Sequence, residues 1–586
     1  MLCIQKINTI LNCKMFKGLD RKLLILLPIA LFLILAVYNL NYPGMSIDEA
    51  GDGIVSSYIL KDAHGYNLKD TQSLKAAQNC VLKNTHSKKE LMITNFYFVL
   101  FNRIFPVMSG EYVGSVFSYL IYPFSLVLGL NVITLRITPI FFSVFTLIFI
   151  YLSCKIWFGT RAAFLAALLT AVNLVFVQYS RVGLYREEIF IVFFFWAGFF
   201  LLLKYFETKR NIFLYFSLYF WGLGFSAKII FLFYAVGITV AYMLLRKKLN
   251  LTIFLSLRQL MVAVVSFCLG AFSIIAYNLE APLITLKVIF KSLFSSPFRA
   301  AGSNLNINNL DYLANFKLRF LDLMTFLKAN IVERTDWGVI GPLPFEKVSF
   351  MIACLTIFSF IFVLIFALFS QNKSIKYRIL FIYVVYITVI FLTPFTVSGF
   401  CPGHLTVLLP FFQIALALFL DYIWQRFRNK KPFLIAVYSI FLIPLLLFNI
   451  WLNIYFNNEM KKNGGYRRWS TTVYELADYL QKNNILSPIT FGWGLKENIA
   501  FITHQEVVPL IYDEAYSDLS GSVVDKYKQL SLENKPIFYL TMGFEENIPK
   551  RDLFMKLARE SGKKIMLVRK FFNRKGDSVY WLYKIF

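Results

Sequence analysis

Histidine and cysteine are scarce, with four and seven in 586 residues. The histidines show no HExxH-like grouping, so metal catalysis has no support in the sequence. The cysteines are scattered without CxxC spacing, and Cys154, Cys268 and Cys354 fall inside apolar runs, which excludes a disulfide framework or a zinc site. No glycine-rich nucleotide-binding loop is present. Acidic residues number 33 against 60 basic ones, and charged residues make up only 16% of the chain. With 58% hydrophobic residues and a mean hydropathy of +0.61, the composition is that of a polytopic membrane protein. The formal charge of +27 could suggest nucleic acid. The basic residues, however, lie mostly in short segments between apolar runs, where they set topology.

Apolar runs predict about eleven spans of roughly 20 residues: Leu23–Leu40, Ile137–Ile156, Ala162–Tyr179, Ile189–Leu203, Ile212–Phe225, Ile229–Leu245, Leu260–Leu279, Val348–Phe369, Ile379–Pro394, Leu405–Trp424 and Phe433–Leu452. The first lacks a small-residue cleavage site and reads as a retained anchor. Lys14, Lys17, Arg21 and Lys22 before it place the N-terminus in the cytoplasm. Alternate connections then carry Lys155 and Arg161, then Lys204, Lys209 and Arg210, then Arg246, Lys247, Lys248 and Arg258. Later ones carry Lys373, Lys376 and Arg378, then Arg426, Arg428, Lys430 and Lys431. All are short and basic, as the positive-inside rule requires. The opposite connection around Ser398–Cys401 has no basic residue. Leu91–Phe105 and Tyr112–Leu130 are also apolar. They read as interfacial amphipathic helices, the alternative being a hairpin that raises the count to about thirteen.

The expected organisation is an all-α membrane domain over 1–455, with extracytoplasmic loops at 41–135 and 280–347, and an extracytoplasmic α/β domain over 456–586. In that tail, Trp469–Leu480 has helical period after a Ser/Thr cap. Short β-like runs follow at Pro488–Trp493, Pro536–Leu540 and Ile565–Val568, and a hairpin spans Phe571–Phe586 around Asn573–Asp577.

Charges that break the topology rule nominate a site. Asp48 and Glu49 emerge just beyond the first helix, at headgroup depth, where an acidic pair is costly unless compensated. The bland alternative is a solvated turn after Pro43-Gly44. Arg181 and Arg186 stand on the same side, where positive charge is normally depleted. Either they pair internally with Glu187 and Glu188, or they bind a phosphate beside an ionised carboxylate. Lys228 occupies a short turn in Gly222–Ile230. It either snorkels to the interface or meets a lipid-linked phosphate as a compact charge.

The order of these features resembles a known family. A DE pair follows the first helix, with Ala63-His64-Gly65-Tyr66 downstream and Leu135-Arg136 at the head of the second helix. Ser180-Arg181 and Glu187 follow the third, and a Gly-rich turn ends in Lys228. This looks like the GT-C glycosyltransferases of the protein O-mannosyltransferase and aminoarabinose-transferase superfamily, most closely over the first 280 or so residues. The resemblance implies a polyprenyl-phosphate sugar as donor and names no further cofactor. It implies Asp48 as base or acceptor-orienting group, and Glu49, Glu187 or Glu188, and Lys228 at the same site. Where the family often carries Arg-Tyr before the proline of a late helix, this chain has Gly403-His404-Leu405 leading to Pro410, which makes His404 a candidate phosphate contact.

The residues fit that chemistry on their own terms. A sugar on a phosphate has an activated leaving group. The enzyme must position an acceptor hydroxyl, take its proton and neutralise the departing phosphate. The expected partners are the lipid-linked donor, membrane lipids and an extracytoplasmic acceptor (protein, lipid or envelope glycan), not nucleic acid. Two other readings remain at this level. A transporter or flippase would place its charges at mid-membrane on broken helices, and a scaffold would use the tail to bind partners.

Overall fold

The computed structural model describes residues 23–60, 96–100, 103–110, 112–181, 186–287, 290, 298–299, 306–307, 311–328, 346–395, 402–465, 467–490, 494–511, 528, 536–543 and 548–586. The expected motif Ala63–Tyr66 and the connection around Ser398–Cys401 lie outside these residues.

The membrane part is built of helices. α1 (Leu26–Val37) and α2 (Ile47–Leu60) are followed by a hairpin of β1 (Phe96–Leu100) and β2 (Arg103–Met108), then α3 (Val116–Leu128) and α4 (Val132–Phe158). Next come α5 (Thr160–Ala171), α6 (Leu174–Arg181), α7 (Arg186–Thr208), α8 (Asn211–Ala227), α9 (Leu232–Leu245), α10 (Leu257–Gly270) and α11 (Phe272–Glu280). After α12 (Tyr312–Leu327) follow α13 (Glu346–Phe369), α14 (Lys373–Leu392), α15 (Phe411–Phe427), α16 (Lys431–Val437) and α17 (Ile443–Asn463).

Among the described residues seven helical stretches are long and apolar enough to cross a membrane, or up to nine if each of two bent pairs is one span. The bent pairs fall where the sequence suggests single spans. α5 and α6 meet at 59°, and α10 and α11 at 80°. At the first bend the Asn173 side chain accepts from Phe176 N and caps the second half. The apolar helix Leu23–Val37 and the 17-residue α8 are shorter than the span criterion. Conversely, α16 and α17 run through a π turn as one stretch of 33 residues. At 1.5 Å per residue that is about 50 Å, so it outreaches the hydrocarbon core and carries Asn457 and Lys461 towards the tail.

One expectation is corrected outright. The described part of Leu91–Phe105 is not an interfacial helix but the β1–β2 hairpin, paired antiparallel from Phe96↔Met108 to Leu100↔Arg103. Phe-Tyr-Phe-Val-Leu is a run of aromatic and branched residues that favours a pleated surface over a helix. The second segment does hold a helix, α3.

The helices pack through small residues as well as aromatics. A Cβ on Gly222 would come within 2.3 Å of Phe267 O, and one on Gly270 within 2.2 Å of Tyr219 O. α8 and α10 therefore touch backbone to backbone, the usual means of close approach in lipid, where apolar side chains gain little from leaving the bilayer.

The tail continues with α18 (Thr472–Lys482), β3 (Ile489–Thr490), α19 (Lys496–Ile502), β4 (Leu510–Ile511), β5 (Ile537–Met542), α20 (Ile548–Glu560), β6 (Ile565–Phe572) and β7 (Ser578–Ile585). The sheet order is β4-β3-β5-β7-β6, parallel across β4-β3-β5 and antiparallel beyond. Val473, Leu476 and Leu480 recur at helical spacing on one side of α18 and pack against Leu540, Leu582 and Tyr580 of the sheet.

Candidate active site

Two buried arginines hold the loop that presents the acidic pair. Arg181, at the end of α6, donates from Nε to Ala36 O (3.0 Å), from Nη1 to Gln178 Oε1 and Asn457 Oδ1, and from Nη2 to Tyr38 O (2.9 Å) and Asn39 O (2.7 Å). Arg136, in the first turns of α4, donates from Nη1 to Leu40 O (2.7 Å) and from Nη2 to Pro43 O (3.0 Å). Between them they bind one carbonyl in the last turn of α1, Ala36, and those of Tyr38, Asn39, Leu40 and Pro43 in the loop beyond it, placing positive charge at the helix end that the dipole favours.

Arg136 also binds Glu49, with Nε to Oε1 at 2.8 Å and Nη2 to Oε2 at 3.1 Å, and both side chains are fully buried. Glu49 belongs to a capping box. Ser46 Oγ accepts from Glu49 N, and Glu49 Oε2 accepts from Ser46 N, each at 3.0 Å. The fork-to-fork ion pair and the box together fix the start of α2. Asp48 sits in the first turn of that helix, half-buried, one residue before the locked Glu49.

The tail reaches the same loop. Gly44 N donates to Trp469 O, Asn498 Nδ2 to Met45 O (2.9 Å), and Arg574 Nη2 to the Tyr42 hydroxyl (2.9 Å). Phe501 of α19 lies on Gly53 of α2, where a Cβ would enter the ring at 2.2 Å. Gly44 is less forgiving, because a Cβ there would stand 2.3 Å from Ser470 O, a backbone atom with no freedom to yield. Gly44→Ala should therefore unseat the tail from the loop at a cost of about 1–3 kcal/mol. Limited proteolysis checks this. The variant should be cut near residues 464–470 at protease levels that spare the parent.

A second cluster forms where α7, the α8–α9 turn and the segment after α14 converge. Lys228 Nζ lies 2.7 Å from Glu188 Oε1 and 3.0 Å from Glu187 Oε2, and His404 Nδ1 lies 2.6 Å from Glu188 Oε1. Glu188 is fully buried, and its other oxygen, Oε2, has no hydrogen-bond partner. Burial alone would lower the Lys228 ammonium. The adjacent Glu187 and Glu188 carboxylates outweigh it and hold the group above the ordinary lysine range. The segment before α3 and the first turn of that helix connect the two clusters. Tyr112 O accepts from Ile229 N beside Lys228, Gly114 N donates to Ser226 O, and Ser118 O accepts from Ser56 Oγ of α2.

The residues nominated by the sequence thus separate. Glu187, Glu188, Lys228 and His404 come together. Asp48 and Glu49 share α2, but Glu49 faces Arg136. Arg181 is engaged by protein acceptors on all three nitrogens and does not pair with Glu187 or Glu188. Arg186 begins α7, and its side chain lies outside the described residues. Sequence reasoning missed Arg136 as the partner of Glu49, although it breaks the topology rule just as Arg181 does. It also missed the buried Arg319–Asp322 pair (3.0 Å) on α12, which packs against the His404 segment. Among the described residues no three His, Cys, Asp or Glu side chains are grouped closely enough to hold a metal ion.

With that geometry in view, the relatives can be placed. Residues 113–275 match the family model of dolichyl-phosphate-mannose-protein mannosyltransferases. These residues hold α3, the first arginine-bearing spans, Glu187, Glu188 and Lys228. Among solved structures, ArnT from Cupriavidus metallidurans, bound to undecaprenyl phosphate, aligns with a TM-score of 0.55 at 11% identity, over 95% of this chain and 97% of that one. The Archaeoglobus fulgidus oligosaccharyltransferase in its apo form aligns at 0.52 and 12% identity, over 94% of this chain and 70% of that one. The chain has the GT-C fold. No curated protein sequence matches it.

Proposed function

We propose that this GT-C protein is an integral-membrane glycosyltransferase. It moves a sugar from a polyprenyl-phosphate donor to an extracytoplasmic acceptor with inversion at the anomeric carbon. The observation that carries the reading is the convergence of Lys228, Glu187, Glu188 and His404 from three separated stretches of chain into one hydrogen-bonded cluster. The family match covers two of those stretches, and undecaprenyl phosphate is bound in the ArnT neighbour.

In this reading Asp48 takes the proton from the acceptor hydroxyl, whose oxygen attacks the anomeric carbon as the bond to the donor phosphate breaks. The phosphate leaves with the bonding electrons and is met by Lys228 and His404, which Glu188 aligns. Glu49, Arg136 and Arg181 act through position, holding the loop that carries Asp48. The basic short connections would be cytoplasmic and the tail from about residue 456 extracytoplasmic, on the same side as both clusters. A reporter fused after Lys248 should read as inside and one after Lys462 as outside. An inside reading at Lys462 would contradict the tail's place beside Asp48.

Lys228 provides a direct test of the donor side. Lys228→Met should weaken binding of polyprenyl phosphate by roughly ten- to a hundred-fold, the scale of one charge-assisted contact. Because the lysine also neutralises Glu187 and Glu188, Lys228→Arg is the informative companion. It keeps the charge, so it should restore expression while recovering only part of the affinity, since a planar fork replaces a compact ammonium. Unchanged affinity in both variants would remove Lys228 from the phosphate site.

A further inference from the structure

Away from both clusters, a cleft opens between α12, α13, α15 and α17, beside the bend between α5 and α6. Its two long walls, the spans Glu346–Phe369 and Lys431–Asn463, are the most exposed of the seven, with only 22% and 17% of their apolar windows buried. The cleft is therefore reached from the lipid. Its lining includes apolar Ile352 and Phe448, yet also Ser349, Gln413 and Lys328. Other polar groups around it are occupied: Thr356 Oγ1 donates to Ile352 O, Asn449 Nδ2 to Leu445 O, and Asn173 Oδ1 caps α6. Two are not. Ser349 is 4% exposed and its Oγ has no partner, and Gln413 Oε1 is buried and equally unpartnered.

A buried polar atom left unpaired is destabilising, and in hydrocarbon no water compensates it. Ser349 lies one turn inside the start of α13, near the end of its span, whereas Gln413 lies deeper, ten residues into the span His404–Phe427. Lys328 marks the rim. Its Nζ is 3.9 Å from Glu346 Oε1, whose side chain is 63% exposed. An ion pair that long and wet is weak and leaves the ammonium able to take another anion.

We propose that this cleft is a specific site for an anionic glycerophospholipid with a hydroxylated headgroup, of which phosphatidylglycerol is the simplest. The phosphate meets Lys328, and the acyl chains lie along the apolar wall of Ile352 and Phe448. The Ser349 hydroxyl donates to an ester oxygen of the lipid, and a headgroup hydroxyl donates to Gln413 Oε1. The site does not depend on the catalytic reading.

The test uses the full-length protein, delipidated in detergent and titrated with dioleoyl phosphatidylglycerol. Native mass spectrometry and thermal unfolding are the readouts. One phosphatidylglycerol should be retained per chain and raise the unfolding temperature with concentration, whereas phosphatidylcholine should do neither. Ser349→Ala should weaken binding about 2- to 12-fold, the range of one hydrogen bond, while the lipid-free variant unfolds no earlier than the parent because an unpaired group has been removed. Lys328→Gln, at the accessible rim, should weaken binding by a similar or larger factor and guards against a folding defect in the first variant. Several results would overturn the proposal. These are equal affinity in parent and both variants, phosphatidylcholine binding as well as phosphatidylglycerol, or displacement of the lipid one-for-one by undecaprenyl phosphate. So would a lipid-free Ser349→Ala protein that gains stability with no lipid effect at all, the mark of an ordered water.

Discussion

Asp48→Asn, reconstituted with a polyprenyl-phosphate sugar and an accepting substrate, should turn over about 10²–10⁴-fold more slowly than the parent while binding the donor almost as well. The amide keeps the size of the carboxylate but cannot take a proton. Because Glu49, Ser46 and Arg136 fix the start of α2 without using the Asp48 side chain in the capping box or the ion pair, the variant should fold. Separate donor-binding and turnover measurements check this. Turnover within a few-fold of the parent would pass the role of base to Glu187 or Glu188, of which Glu188 has an unpartnered buried oxygen.

Arg136→Met should be the most damaging change to the fold. It leaves the Glu49 carboxylate buried without its partner and releases the carbonyls of Leu40 and Pro43. Removing one member of a buried pair typically costs about 3–5 kcal/mol, so the variant should be recovered in low yield, with a strongly lowered unfolding temperature. Adding Glu49→Gln should recover part of the loss, because the remaining neutral side chain can keep the box to Ser46 N. The double-mutant cycle then gives the coupling. If Arg136→Met were as stable as the parent and merely inactive, the ion pair would be part of the chemistry and not the support beneath it.

Charge placement made much of the site legible in the sequence, because in a membrane a charged residue is expensive wherever it has no reason to be. That rule picked out Asp48, Glu49, Arg181, Arg186 and Lys228 before any geometry, and Glu187 and Glu188 entered as their neighbours. It could not say which charges meet. Arg181 and Lys228 look alike as exceptions, yet one is engaged by backbone carbonyls, Gln178 and Asn457, and the other by two carboxylates. Partners so far apart in sequence leave no local pattern. The same holds for Glu49 and Arg136, and for His404, whose only sequence signal was its place before Pro410.

Helix content was legible from long apolar runs. Bends were not, because α10 and α11 read as one uninterrupted hydrophobic stretch although they turn by 80°. The β1–β2 hairpin was missed because length and hydropathy alone cannot separate a short apolar strand from an interfacial helix. In the tail, turn residues and alternation located β6, β7 and their connection well. The docking of α19 onto α2 rests on Phe501 meeting Gly53, which no periodicity announces.

The central claim is sugar transfer from a lipid phosphate, and its most direct measurement follows the donor. The purified protein in liposomes is given radiolabelled polyprenyl-phosphate sugars and a delipidated cell-envelope fraction, and the lipid products are separated by chromatography. The account predicts that one donor is converted to free polyprenyl phosphate with the label appearing in the envelope fraction, and that Asp48→Asn slows both by about 10²–10⁴-fold. Donors left intact across the panel, with label instead moving across the bilayer still attached to its lipid, would contradict it and make the protein a flippase.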